Sequence, residues 1–378
     1  MSFVNGSMNY RIFKVEKEED VKLDLNFIQE GLCSGAFSEL SAESEESCGF
    51  VNIGEYKNTT ATDTRNFDFG FAAFSFRIDK KRVPGSLLKK TLEKLTTDYL
   101  ENHPGKETLD KKTKKKLKDA AKEQLLRKAE PVPALYDIVW DIQNSKLYFF
   151  SLSEKTIEKM AEKFAMSFVG TRLVPTTAYE RCENLCTDGL KARLIECAGT
   201  SSSNIAEIIE SNRWIGEDFI TWLLYRAHNG MSSYGDDADM FAAYPDFMFV
   251  LADNTDSGQK VKITGEQIQC LEIKSALNEG KTIEQATLVI DTPESPLHFT
   301  LISKTFDIKG FKIPKELIKG LDPDTAIKIR YSILEFLEQA INVLLIEFLR
   351  ARLSAKWESE EIEKIQQWCK QGLLENAA

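Results

Sequence analysis

Residues 84–128 read PGSLLKKTLEKLTTDYLENHPGKETLDKKTKKKLKDAAKEQLLRK, and their periodicity makes them a helical hairpin with a strong local excess of positive charge. Pro84 and Gly85 open it, with Ser86 as the expected N-cap, because a serine oxygen accepts from the unpaired amides of a first turn. Leu88, Leu92, Leu95 and Tyr99 then recur at the spacing of one buried face. Asn102, His103, Pro104 and Gly105 break that helix. In the second helix, from Leu109, Thr113, Leu117, Ala121 and Leu125 step by four along one side, opposite Lys111, Lys115, Lys118 and Lys122.

From Lys80 to Lys128 there are 16 Lys or Arg against 7 Asp or Glu, a local balance of +9 in a chain of net charge −10. The remaining residues therefore carry −19. Segregated charge of this kind has two readings. It is either a solvated face that keeps a long hairpin soluble, which composition alone favours, or a face that binds phosphates by releasing their counterions.

With 378 residues, 42% hydrophobic and 29% charged, the chain has room for two or three compact units and does not read as disordered. No charged leader with an apolar core opens it, and no apolar run is long enough to cross a bilayer, so a cytoplasmic protein is expected. Seven irregularly spaced cysteines argue against a disulfide framework. Cys182, Cys186 and Cys197 lack a fourth ligand at zinc spacing and read as plain thiols. No cofactor is expected.

The fold class read from the pattern is α+β: two antiparallel α+β units, a projecting basic helical hairpin and a long C-terminal helix. Residues 1–175 are expected to form the first unit, with strands at Asn9–Val15, through the phenylalanines from Phe67 to Phe76, and at 134–142 and 146–152. Residues 176–250 have no clear pattern and read as an insertion. Residues 251–378 form the second unit, with a helix over 267–278 and a long helix over 324–355. That last helix is apolar on several sides, so it must be buried within the fold or against a second subunit.

At the hairpin and its flanks the chain resembles the RdgC family of recombination-associated DNA-binding proteins. The resemblance rests on Arg77, Lys81, Val83-Pro84, Leu87-Leu88-Lys89 and Leu92, then the lysine-rich helix, Lys118-Asp119, Leu125-Leu126 and Lys128-Ala129, and Trp140-Asp141. Gly49-Phe50-Val51 and Val174-Pro175 fit it too, and a second block follows at Glu272-Ile273, Glu279-Gly280-Lys281 and Leu288. It implies a homodimer closed into a ring whose basic inner surface takes double-stranded DNA without regard to sequence, within the nucleoid. The implied role is to restrain a RecA-type recombinase during recombination and fork repair, the recombinase being affected through the DNA. DNA-contacting residues would be Arg77, Lys81, Lys89, Lys90, Lys111, Lys115, Lys118, Lys122, Lys128 and Lys281. The chain departs from the family pattern at Glu130-Pro131-Val132-Pro133 and at Thr264-Gly265-Glu266, where basic residues are common.

Two other functions compete. Pro245-Asp246 with Glu272-Ile273-Lys274 spells the acidic and lysine elements of a metal-dependent nuclease. That chemistry needs Glu272 and Lys274 side by side on a strand, whereas the segment reads as helix, so an enzyme is not expected. The other is a protein-interaction scaffold without nucleic acid, for which the lysine face would be dispensable.

Overall fold

The computed structural model describes residues 3–41, 44–54, 61, 67–103, 108–199, 204–235, 240–253, 259–265 and 270–371. Its first half contains β1 (Met8–Lys17), α1 (Leu25–Ser34), β2 (Glu46–Asn52), β3 (Phe71–Lys81), α2 (Gly85–Glu101), α3 (Lys111–Lys128), β4 (Pro131–Asp141), β5 (Lys146–Phe149), α4 (Glu154–Ser167) and β6 (Thr171–Pro175). Four helices come next: α5 (Ala178–Leu185), α6 (Asp188–Cys197), α7 (Ile205–Ser211) and α8 (Trp214–His228). The remainder is β7 (Ser233–Tyr234), β8 (Phe241–Ala252), β9 (Lys260–Thr264), α9 (Cys270–Asn278), β10 (Thr282–Asp291), β11 (Leu297–Ile302), β12 (Ile308–Phe311), α10 (Pro323–Arg352) and α11 (Ile362–Lys370). The fold is mixed α+β, and its strand pairs are largely antiparallel.

Two compact units interleave along the chain. One consists of residues 17–139 and 158–172; the other takes 1–16, 140–157 and 173–378. The chain passes between them inside β1, β4, α4 and β6. A single boundary at 175 is therefore not where the contacts divide, and residues 176–250, expected as an insertion, supply α5 to α8, β7 and most of β8 to the larger unit.

The smaller unit is built on β2, β3 and β4 in that order. Its core is aromatic, as the run of phenylalanines predicts: Phe50 meets Phe74 edge-on at 5.2 Å, and lies 5.8 Å from Phe76 and 5.9 Å from Phe168. Only the second half of that run is strand, because Phe67–Phe69 is a 3₁₀ turn that leaves Phe69 exposed. The α2–α3 hairpin belongs to this unit. Leu88, Leu92, Leu95 and Tyr99 are only half-buried, and α2 buries no residue fully. Pro84, not Ser86, stands at the N-cap of α2, where no side chain caps the first turn. Pro104 and Gly105 lie outside the described residues. Asp110 caps α3, accepting from Thr113 N at 2.6 Å.

The larger unit contains the sheet β5–β1–β12–β11–β10–β8–β7, with β9 alongside β8. Helix α8 packs flush on this sheet because residue 216 is glycine; a Cβ there would fall 2.0 Å from the Ser303 carbonyl oxygen. α10 starts where Asp322 accepts from Asp324 N and Thr325 N. It is buried by its own chain: Phe348 is enclosed by Phe219 at 5.5 Å, Trp222 at 5.7 Å and Trp357 at 6.1 Å. The breadth of its apolar surface thus marks a core helix. Phe336 is the exception, 39% exposed. Cys33, Cys48, Cys182, Cys186, Cys197 and Cys369 are free thiols, and burial pushes Cys182 up to about 12. No helix among the described residues is long and apolar enough to cross a membrane.

Candidate nucleic-acid interface

α3 forms because Lys, Ala, Leu, Glu and Gln all favour helix, and it is oriented by a narrow apolar seam. Ala121 and Leu126 are buried, and Thr113, Leu117 and Leu125 are half-buried. Lys111, Lys115, Lys118 and Lys122 are all exposed on the other side, as the four-residue spacing predicts. Among the described residues Lys111, Lys115 and Lys118 have no carboxylate partner, while Lys122 pairs with Glu45 at 3.0 Å, both side chains half in solvent. Lys128 is exposed in the last turn, where it complements the negative helix end. Lys89 and Lys90 are exposed on α2.

Two candidate residues on β3 are placed quite differently. Arg77 donates to Asp79 through Nε and Nη2, each at 2.7 Å, and its guanidinium stacks 4.2 Å from the Phe37 ring centroid. The hydrogen bond to Asp79 holds the arginine above its ordinary pKa. Lys81 is buried and donates to the Ser41 carbonyl at 3.2 Å. Both are tied into the fold, and neither presents a free cation.

Lys281 belongs to the larger unit. It follows Gly280, whose φ of +84° closes α9: Gly280 N donates to Leu277 O and Lys281 N to Ala276 O, both at 3.0 Å. Its ammonium hydrogen-bonds Glu279 and holds that carboxyl below its usual range.

The nuclease constellation has helical geometry where the chemistry needs a strand. Glu272 and Lys274 lie on α9, Glu272 exposed and Lys274 buried with its ammonium 4.6 Å from the Trp368 ring centroid. Asp246 accepts from Phe247 N at 2.7 Å, beside a bulge at which Phe247 takes φ +63°. Among the described residues no group of three or more His, Cys, Asp or Glu is placed to hold a metal ion.

Lys112, Lys114 and Lys116 are also exposed and without a carboxylate partner among the described residues, so the lysine surface of α3 is broader than one stripe. The run KKTKKK carries that signal directly. The Glu45 partner of Lys122 has no local signal, because it lies 77 positions away.

These features define an α+β protein, acidic overall, with a dense run of exposed lysines on α3 of one helical hairpin. A family model described as "Putative exonuclease, RdgC" matches residues 8–198, just over half of the 378 residues, and the chain belongs to the RdgC family. The match includes the hairpin and residues 176–198, the first part of the segment expected to be an addition, and stops short of the block around Glu272 and Lys281. No curated protein matches the chain.

Proposed function

We infer that the chain binds duplex DNA without sequence preference through the lysine face of α3, as a homodimer closed into a ring, and so modulates RecA-type recombination and replication-fork repair. The observation that carries this reading is the set of exposed α3 lysines without carboxylate partners among the described residues, in a protein of net charge −10. An acidic exterior repels DNA, so binding concentrates where the sign reverses. Family membership supports the recombination role, and nucleoid residence follows from DNA binding.

The dimer is supported by the outward side of α10. Ile329, Ile333 and Phe336 lie at i, i+4 and i+7 and line an open groove of about 390 Å³ with Leu297 and Leu317. Phe348, on the inward side, belongs to the core and takes no part in a subunit contact.

The family description names an exonuclease. Binding is favoured over cleavage by the placement of Lys274 against Trp368, away from an exposed Glu272. Incubating purified protein with linear duplex and magnesium or manganese separates the two; cleavage abolished by Asp246→Ala would replace this reading with a nuclease.

Sedimentation equilibrium, together with duplex binding over a salt series on two unrelated sequences, tests the whole proposal. The expected result is a dimer with equal affinity for both duplexes, falling steeply as salt rises. A monomer at micromolar concentration, or an affinity indifferent to salt, contradicts it.

A further inference from the structure

A cavity of about 370 Å³ in the larger unit has no part in the DNA reading. Its floor is β1 and β5. Alternation along β1 puts Tyr10, Ile12 and Lys14 on one face, and the antiparallel register sets Tyr148 opposite Ile12 and Lys146 opposite Lys14. That face meets α10, since Tyr10 OH donates to Glu338 at 2.7 Å. α5 supplies Glu180, Arg181, Glu183 and Asn184 to the walls, and α10 supplies Glu338 and Asn342.

At the inner end the charges are satisfied internally. Arg181, only 9% exposed, pairs with the Glu338 carboxylate at 2.9 Å and donates to the Glu338 carbonyl at 3.1 Å and to Asn342 Oδ1 at 2.9 Å. Asn342 also carries an amino group, which can donate. The other lining carboxylates are engaged as well. Glu180 accepts from Thr177 N at 3.0 Å, and Glu183 pairs with Lys191 at 3.2 Å.

The mouth is different. Lys14 and Lys146 stand directly across from each other, an arrangement of like charges that destabilises a sheet. Lys14 reaches Glu16 at 3.3 Å near the solvent. Lys146 has no carboxylate partner among the described residues, and its ammonium lies 5.9 Å from the Tyr148 ring centroid. A dianion placed between the two ammonium groups would turn their repulsion into attraction, and lysine is suited to phosphate as a point charge.

We propose that this cavity binds a small phosphate monoester of mononucleotide size, its phosphate held between Lys14 and Lys146 and an oxygen of its body accepting from Asn342. The volume falls within the roughly 300–1,000 Å³ of small-molecule sites. The proposal stands independently of the hairpin, because every residue in it belongs to the larger unit and none to α3.

Calorimetric titration of the intact protein with adenosine 5′-monophosphate, ribose 5-phosphate and adenosine, beside duplex binding over a salt series, is the test. The wild type is expected to bind at least one of the two phosphate esters but not adenosine. Lys146→Gln should weaken that binding about tenfold, and Lys14→Gln/Lys146→Gln should weaken it further, with circular dichroism and the duplex salt slope unchanged. Equal binding by the double variant, or no binding of either ester at millimolar concentration, overturns the proposal. If neither ester binds and the double variant instead loses duplex affinity, the phosphate belongs to DNA and the small-ligand site is refuted.

Discussion

β3 and α3 both present basic residues that fit the same family pattern, yet the fold uses them in opposite ways. On β3, Arg77 and Lys81 are tied down by Asp79, Phe37 and the Ser41 carbonyl. On α3, Lys111, Lys115 and Lys118 reach solvent with no carboxylate among the described residues to meet them. A cation's availability for phosphate is thus decided by what the fold places beside it, and charge counted along the chain does not reveal that. α10 repeats the contrast with a different side chain: Phe348 is enclosed by three aromatic rings, and Phe336, twelve positions earlier, is open to solvent.

The largest effect expected from this contrast is on the enclosed phenylalanine. Phe348→Ala should cost about 3–5 kcal/mol in chemical denaturation, through lost burial and the cavity left behind. A loss below about 1 kcal/mol would show that the core around Phe219 and Trp222 closes over the gap. Arg77→Ala comes next. It strands Asp79, whose side chain is 5% exposed, and removes the stacking on Phe37. About 2–3 kcal/mol of stability should go, toward the low end for a buried pair because Arg77 itself is 14% exposed. Its duplex affinity, measured under conditions where the variant is folded, should stay within about twofold of wild type, since an engaged arginine contributes no free charge. A tenfold loss of affinity with full stability would break the comparison and return Arg77 to the interface.

Phe336→Asp should leave monomer stability within about 0.5 kcal/mol, as surface changes do, while raising the dimer dissociation constant in sedimentation equilibrium by placing a charge in an apolar contact. An unchanged dimer would move the contact off this side of α10. The smallest effect belongs to Glu45→Gln, which frees Lys122. An exposed pair of this kind is worth roughly 0.2–1 kcal/mol, so stability should barely move, while the salt slope of DNA binding should steepen slightly as another lysine becomes available. A shallower slope would show that Lys122 already contacts DNA from its place beside Glu45.

What was legible in the sequence follows the range of the forces involved. The apolar and basic sides of α3 are written in a four-residue step, and the core role of Phe74 and Phe76 in a short aromatic strand; both are local patterns. The engagement of Arg77 by Phe37, the pairing of Lys122 with Glu45, and the enclosure of Phe348 by Phe219 each join positions far apart in the chain, so no window of sequence contains them. The same holds for the interleaving of the two units, since residues 1–16 and 140–157 group with residues after 173. Ser86 fails as a cap for a more local reason. The ring of Pro84 fixes its φ, here −59°, its ψ of 135° keeps it outside the helix as the N-cap, and the helix begins one residue before the serine.

The central claim is that the unpartnered lysines of α3 are the DNA contact, and the salt dependence of binding tests it most directly. Lys111, Lys115, Lys118 and Lys122 span roughly 16 Å of helix, enough to meet several phosphates. Replacing all four by glutamine leaves the apolar seam intact, so circular dichroism and melting should not change. The slope of log affinity against log salt should fall by about 0.9 for each of Lys111, Lys115 and Lys118 in every subunit that engages, and by less for Lys122 because Glu45 already neutralises it. An unchanged slope and affinity in the folded variant would contradict the account and show that these four lysines of α3 serve only to keep the hairpin in solution.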